Sequence, residues 1–264
     1  MQKSLTMAAA IFSATVFSWT AVRAADLPLK TRPAAVASFG WSGWYVGANL
    51  GYGFGDNQIN IDPVSPGAVI RSGFVSPVLD NHPRGVLGGI QIGVNRQTGN
   101  IVYGIESDLA YAGIRDTVVG PFLIPNFNFQ TTDSQKLDWF GTLRARAGVA
   151  VTDRALLFVT GGLAFGRASV STFAIDTSAN ICGGTIKFCI SGNSQNWMAG
   201  WTIGSGGEYA IAPAWSAKLE YLYYDLGRIE NSMTDILDPP DVFRGSTEVK
   251  GNVVRVGLNY RFAR

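Results

Sequence analysis

Near the end of the chain, Val254, Val256, Leu258, Tyr260 and Phe262 alternate with Arg255, Gly257, Asn259 and Arg261. Successive side chains of a strand point to opposite faces, so this stretch has one unbroken apolar face and one polar, charged face. Apolar outside and polar inside is the pattern of a strand with lipid on one side and a lumen on the other. The pattern predicts a transmembrane β-strand with its aromatics at the terminal end.

Seven further segments repeat the design. Near 44–54, Trp44, Val46, Ala48, Leu50 and Tyr52 share one face and Tyr45, Gly47, Asn49 and Gly51 the other. Near 86–96, Ile90, Ile92 and Val94 alternate with Gln91, Gly93 and Asn95, and near 101–111 Tyr103, Ile105, Leu109 and Tyr111 oppose Gly104, Glu106, Asp108 and Ala110. Near 140–151, Leu143, Ala145, Ala147 and Val149 oppose Thr142, Arg144, Arg146 and Gly148. A fifth segment near 156–168 is blurred by Gly161, Gly162, Leu163 and Ala164. Near 196–211, Trp197, Trp201, Ile203 and Tyr209 face away from Thr202, Gly204, Gly206 and Glu208; near 215–225, Trp215, Leu219, Tyr221 and Tyr223 face away from Ser216, Lys218 and Glu220.

The connections alternate in length. Segments 97–100, 152–154 and 211–214 contain the Gly, Asp or Pro of tight hairpins. Segments 55–85, 112–139, 170–195 and 227–248 are long, and structureless loops of that length are uncommon in compact soluble domains. Short turns on one side and long loops on the other are the habit of outer-membrane barrels. The expected fold is all-β: an eight-stranded antiparallel transmembrane β-barrel with short periplasmic turns, four long extracellular loops and both termini in the periplasm.

The N-terminal segment sets the address. Lys3, a mostly apolar run over 5–19 and the small-residue exit Val22-Arg23-Ala24 form a secretory signal peptide pattern, with cleavage expected after Ala24. The alternative, an uncut anchor, has a run shorter than the roughly 20 residues a spanning helix needs. The expected division is 1–24 signal peptide, 25–40 a Pro-containing periplasmic leader and 41–264 the barrel. Without Lys3 and Arg23 the basic and acidic residues balance at 19 each, which gives no support to a nucleic-acid partner. The 32 glycines and 12 % aromatics suit strands better than helices.

Five stretches carry a family likeness: GWYVGANLGYGFG at 43–55, NIVYGIESDLAY at 100–111, GTLRARAGVAVTDRALLFVTGGLAFG at 141–166, EYAIAPAWSAKLEYLYYDLG at 208–227 and VVRVGLNYRF at 253–262. Together they resemble the small outer-membrane β-barrel proteins of alphaproteobacteria, the Omp25/Omp31-like, porin-family group. The resemblance implies residence in the outer membrane of a Gram-negative cell, a structural and surface-antigen role in envelope integrity, and contact with outer-membrane lipid and lipopolysaccharide. It also implies insertion by the outer-membrane assembly machinery. Arg255, Gly257, Tyr260 and Phe262 fit the polar, glycine and aromatic positions of that machinery's C-terminal signal, although the chain continues through Ala263 and Arg264.

Candidate chemistry is sparse, and no catalytic residue, cofactor or metal site is assigned. Glu106 and Asp108 should lie beside Arg144 and Arg146, and Lys218 and Glu220 beside Arg255, on inward faces. Eight strands enclose only room for side chains, so these charges form either a salt-bridged plug or an ion pathway. Outward aromatics fit membrane girdles. Cys182 and Cys189 flank GGTIKF in an oxidising compartment, where a loop disulfide is expected ahead of metal binding or free thiols. His82 is expected as an exposed loop residue, and Asp235, Asp238 and Asp241 as a solvated acidic turn that matches no calcium loop. GYGFG at 51–55 opens no helix and is no nucleotide fingerprint. Arg71, Arg84, Arg115, Lys187, Arg228 and Arg244 are candidates for lipid phosphates. A small pore is the alternative function; a lipid-modifying enzyme and an adhesive loop surface are weaker readings.

Overall fold

A computed structural model describes residues 39–121, 129–176, 189–236 and 241–262, without the side chains of Arg71, Phe74 and Phe129. Residues 1–38, which hold the expected signal peptide and all but the last two residues of the expected 25–40 leader, lie outside the described residues, as do Cys182, Lys187 and Asp238. Ten strands form one antiparallel sheet: β1 Gly43–Phe54, β2 Asn57–Pro63, β3 Val78–Asn81, β4 Arg84–Thr98, β5 Ile101–Val119, β6 Phe129–Ala150, β7 Ala155–Asp176, β8 Ile190–Ala212, β9 Trp215–Asp235 and β10 Val242–Arg261. β1 pairs with both β4 and β10, so eight strands close into a ring, a β-barrel with no free edge across the membrane. β2 pairs with the outer part of β10 and with β3, continuing the wall beyond β1 as a hairpin. The short helix α1, Pro66–Arg71, follows β2.

The outward faces match the sequence reading. Trp44, Leu50, Ile90, Ile105, Leu163, Ile203, Leu219 and Val256 are all exposed, and an apolar outer surface of this kind is stable against lipid. At one end Trp215, Tyr260 and Phe262 pack edge to face, with ring centroids 5.1 and 5.5 Å apart. At the other end Tyr111 packs on Trp139 at 5.6 Å and Trp201 on Tyr223 at 5.4 Å. Along β5, Ile101 and Tyr111 bound the apolar band; ten tilted residues span about 25 Å, the height of an outer-membrane hydrocarbon zone. The blurred fifth segment is the regular strand β7, paired on both sides: Leu163 faces out and Ala164 is fully buried.

The strands are longer than the sequence reading predicts. β5 to β10 run for 19 to 23 residues, taking in most of 112–139, 170–195 and 227–248. The physical reason is an inversion of polarity. Beyond the aromatic level alternation continues, but water replaces lipid outside, so the outward residues turn polar and many inward ones turn apolar. On β7, Arg167, Ser169 and Ser171 leave the core while Ala168, Val170 and Ala174 enter it. The ladder between β8 and β9 lapses between Ser191 and Trp201. Asp235 and Asp241 differ from the expectation too: both are buried rather than solvated, and the Asp235 carboxylate accepts from the Cys189 N–H at 3.1 Å.

Two positions, one in a turn and one at a bulge within β9, use the backbone freedom of glycine. Gly99 in the β4–β5 hairpin has φ +62, and Gly227, beside the β9–β10 register shift, has φ +86. Both lie in the left-handed region, where side chains carry a steric cost.

Candidate functional site: a layered lumen and its outer rim

Inward positions on all eight strands of the closed ring converge at mid-membrane on one charge network, β7 through Thr160, which accepts from Arg144 at 3.0 Å. Glu106 and Arg144 are direct cross-strand partners on β5 and β6. The Arg144 guanidinium donates to Glu106 at 2.5 Å, to Asp108 at 3.0 Å and to Glu220 at 2.6 Å, reaching across the lumen to β9. Arg255 donates to Asp108 at 2.9 Å and to Glu220 at 2.7 Å, and the Lys218 ammonium to Glu106 at 2.7 Å. Arg146 pairs with Glu208, a residue left out of the sequence-based set although its inward face is legible. Tyr45 donates its hydroxyl to Glu106 at 2.7 Å, Thr142 to Asp108 at 2.5 Å and Ser216 to Glu208 at 2.5 Å. Asn49, Gln91 and Asn259 link in a chain that ends on Glu208.

Sequence alternation explains the convergence, and inward glycines make room for it. A Cβ on Gly93 would lie 2.4 Å from the Tyr45 ring, so only glycine there lets the tyrosine reach Glu106. The ionic side chains at the centre are at most 1 % exposed. Burying charge this far from water is tolerable only when each is paired and hydrogen-bonded. Four carboxylates, Glu106, Asp108, Glu208 and Glu220, face Arg144, Arg146, Lys218, Arg255 and Arg261. The fifth cation, Arg261, sits at the periplasmic end 3.9 Å from Glu208, with the rings of Phe39, Trp41 and Tyr45 at 5.1, 5.3 and 5.7 Å. Its position among three aromatic faces supplies cation–π attraction.

Apolar layers bracket the network. On the periplasmic side Trp41, Val102 and Leu156 form a small buried cluster. On the outer side Leu87, Ile114, Leu137, Phe140, Leu222 and Leu226 belong to a larger one that fills the barrel as a septum, with Phe140 and Tyr224 4.9 Å apart. Beyond the septum lies a polar belt. There Thr172 donates to Asp133 at 2.5 Å, Asn231 donates to Thr172 at 3.3 Å, and Asn81 bonds Gln135. Asp133 is buried, among the described residues no cation pairs with it, and desolvation raises its carboxyl to about 6. A third apolar cluster closes the outer end, joining Ile59, Leu79 and Phe243 to Ala68 of α1. Ser65 caps that helix, accepting from the Ala68 N–H at 3.2 Å and from the Val242 N–H at 3.0 Å.

Of the remaining sequence candidates, Arg255 of the terminal strand faces the network, while Tyr260 and Phe262 face outward in the aromatic girdle. Cys189 is not a free thiol; Cys182 lies outside the described residues, and their pairing is carried forward as an expectation. His82 is exposed, 3.6 Å from Asp56. Among the described residues no cluster of His, Cys, Asp and Glu could hold a metal ion.

A family model described as outer membrane protein beta-barrel domain matches residues 14–262. The chain belongs to this family. Among its relatives, the 31 kDa outer-membrane immunogenic protein of Brucella melitensis biotype 1 is 36 % identical over 92 % of this chain and 94 % of that protein. The 22 kDa outer membrane protein of Rhizobium leguminosarum bv. viciae is 30 % identical, covering 84 % of this chain and 78 % of that protein. Among solved structures, the outer membrane protein OprG from Pseudomonas aeruginosa aligns with a TM-score of 0.48 at 13 % identity, covering 86 % of this chain and 99 % of that one. This family member is therefore an outer-membrane protein of the small alphaproteobacterial type, and the girdled apolar band is its membrane-spanning surface.

Proposed function

We propose that this β-barrel is a non-conducting structural and surface protein of the outer membrane. It supports envelope integrity, contacts lipopolysaccharide with its outer face and presents its far end to the exterior. The observation that carries the reading is the filled lumen, in which a paired charge network and an apolar septum succeed one another along the axis. Water-filled channels belong to barrels of about 16 strands, whereas eight leave space only for side chains. The immunogenic naming of the Brucella relative supports surface display. Insertion through the outer-membrane assembly machinery, with Arg255, Gly257, Tyr260 and Phe262 as the signal, belongs to the same proposal.

The alternative is a small pore, and a deletion strain separates the two in the cell. Loss of a structural barrel should sensitise the cell to detergents and bulky apolar antibiotics while uptake of small hydrophilic solutes is unchanged. Slower uptake of such solutes with an intact permeability barrier would favour the pore.

A further inference from the structure

Three exposed cations stand in one row on the outer face of the barrel, beyond the membrane band. Arg84 of β4 lies directly opposite Arg115 of β5, and Arg115 directly opposite Lys136 of β6. Strands lie about 4.8 Å apart, so the row spans about 10 Å. Like charges directly opposite one another are destabilising. Among the described residues no acid forms an ion pair with any of the three. The nearby Asp116 is engaged elsewhere, accepting the backbone N–H of His82 at 2.8 Å and of Thr117 at 2.9 Å.

A local irregularity completes the row. Trp139 faces out, and unbroken alternation would turn Lys136 inward and Leu137 outward. The register shift between Leu137 and Trp139 makes Asp138 an extra residue, which sends Leu137 into the septum and Lys136 outward beside Arg115. Bulges that re-aim a side chain in this way belong to the repertoire of barrel rims. The row also sits at a telling height. Arg115 follows Tyr111 of the outer girdle by four residues, roughly 10 Å along the membrane normal, and long basic side chains reach back toward the headgroups. Two other outer cations have partners in the protein, Arg228 with Glu248 at 3.7 Å and Arg167 with Gln195 at 2.8 Å, and Arg244 stands apart from the row, opposite Ser232 of β9 and Asp62 of β2.

We propose that Arg84, Arg115 and Lys136 form a docking site for the phosphate groups of lipopolysaccharide, each phosphate bridging two neighbouring cations. The site rests on the lipopolysaccharide contact proposed above and says where on the barrel it lies. The lateral, lipid-side placement of the row favours a membrane glycolipid over a soluble ligand.

The test uses the full chain refolded into phosphatidylcholine vesicles with and without purified lipopolysaccharide, then extracted in detergent. Lipopolysaccharide retained per barrel is measured, with inorganic phosphate as competitor. The row variant is Arg84→Gln/Arg115→Gln/Lys136→Gln, and the control is Arg228→Gln/Lys250→Gln. All five positions lie on the outer face outside the membrane band, and heat-modified gel migration reports folding of each variant. Retention should fall about tenfold in the row variant, the scale of three exposed charge pairs, and stay at the wild-type level in the control. Equal retention by wild type and row variant would overturn the site while leaving lipopolysaccharide contact intact. No retention by wild type would remove the contact itself. Full displacement by inorganic phosphate would assign the row to free phosphate and overturn the glycolipid.

Discussion

The lumen has two halves that solve the problem of buried polarity differently. Inside the membrane band, carboxylates and cations are paired across the barrel, with Arg144 and Arg255 each contacting acids on two strands. In the outer half, beyond Phe140 and Leu137, Asp133 sits in a belt of Thr, Asn and Gln, and among the described residues no cation pairs with it. The first arrangement spends desolvation energy on mutual attraction, and the second leaves a carboxyl that is better neutral. The difference teaches that sharing a lumen does not make charges equivalent: in the membrane half each carboxylate has a cation against it, whereas Asp133 in the outer half is favoured in its protonated form.

The strongest way to break the comparison is to unpair the membrane half. Arg144→Met leaves Glu106, Asp108 and Glu220 short of a partner, and should cost about 3–5 kcal/mol in urea unfolding from lipid vesicles. A cost below that of an exposed ion pair would mean that water reaches the network. The septum is next. Phe140→Ala removes a fully buried ring and should cost about 3–4 kcal/mol in the same assay.

Smaller in effect, Asp133 sharpens the contrast through pH. Its folded carboxyl titrates at about 6, above the roughly 3.9 of an unfolded aspartate. Below the unfolded value both states are protonated and the stabilisation is complete; as pH rises toward 6 the unfolded state sheds its proton first, so stability falls. Above 6 the dependence is flat. Asp133→Asn should abolish this slope and stabilise the barrel at pH 7 by about 2 kcal/mol; an unchanged slope would place the titration elsewhere. Smallest of all is Glu248→Gln at the exposed Lys250 and Arg228 pairs, which should leave the unfolding midpoint unchanged because surface ion pairs contribute little.

Much of this was legible along single strands. On β6 the inward residues read Arg146, Arg144 and Thr142, then Phe140 and Leu137, then Gln135, Asp133 and Thr131, which is the layer order of the barrel. The membrane strands could be read because lipid outside enforces an apolar face. The outer extensions could not be read with the same key, because past the girdle the apolar side turns inward. Network membership was legible only as far as neighbouring strands. Glu106 beside Arg144 follows from strand order, but the reach of Arg144 to Glu220 depends on barrel closure and on glycines such as Gly93 and Gly206 that clear the interior. Lys136 was invisible as a rim cation because the bulge at Asp138, which turns it outward, leaves no signal in the alternation.

The central claim, that the lumen is a plug, meets its most direct test in planar bilayers. Single-channel recording of the refolded chain should show no openings above the bilayer leak, for wild type and for Phe140→Ala alike, because the charge network still closes the barrel beneath the septum. Stable openings in wild type whose conductance or selectivity shifts in Arg144→Met or Glu106→Gln would contradict the account and identify the network as an ion path.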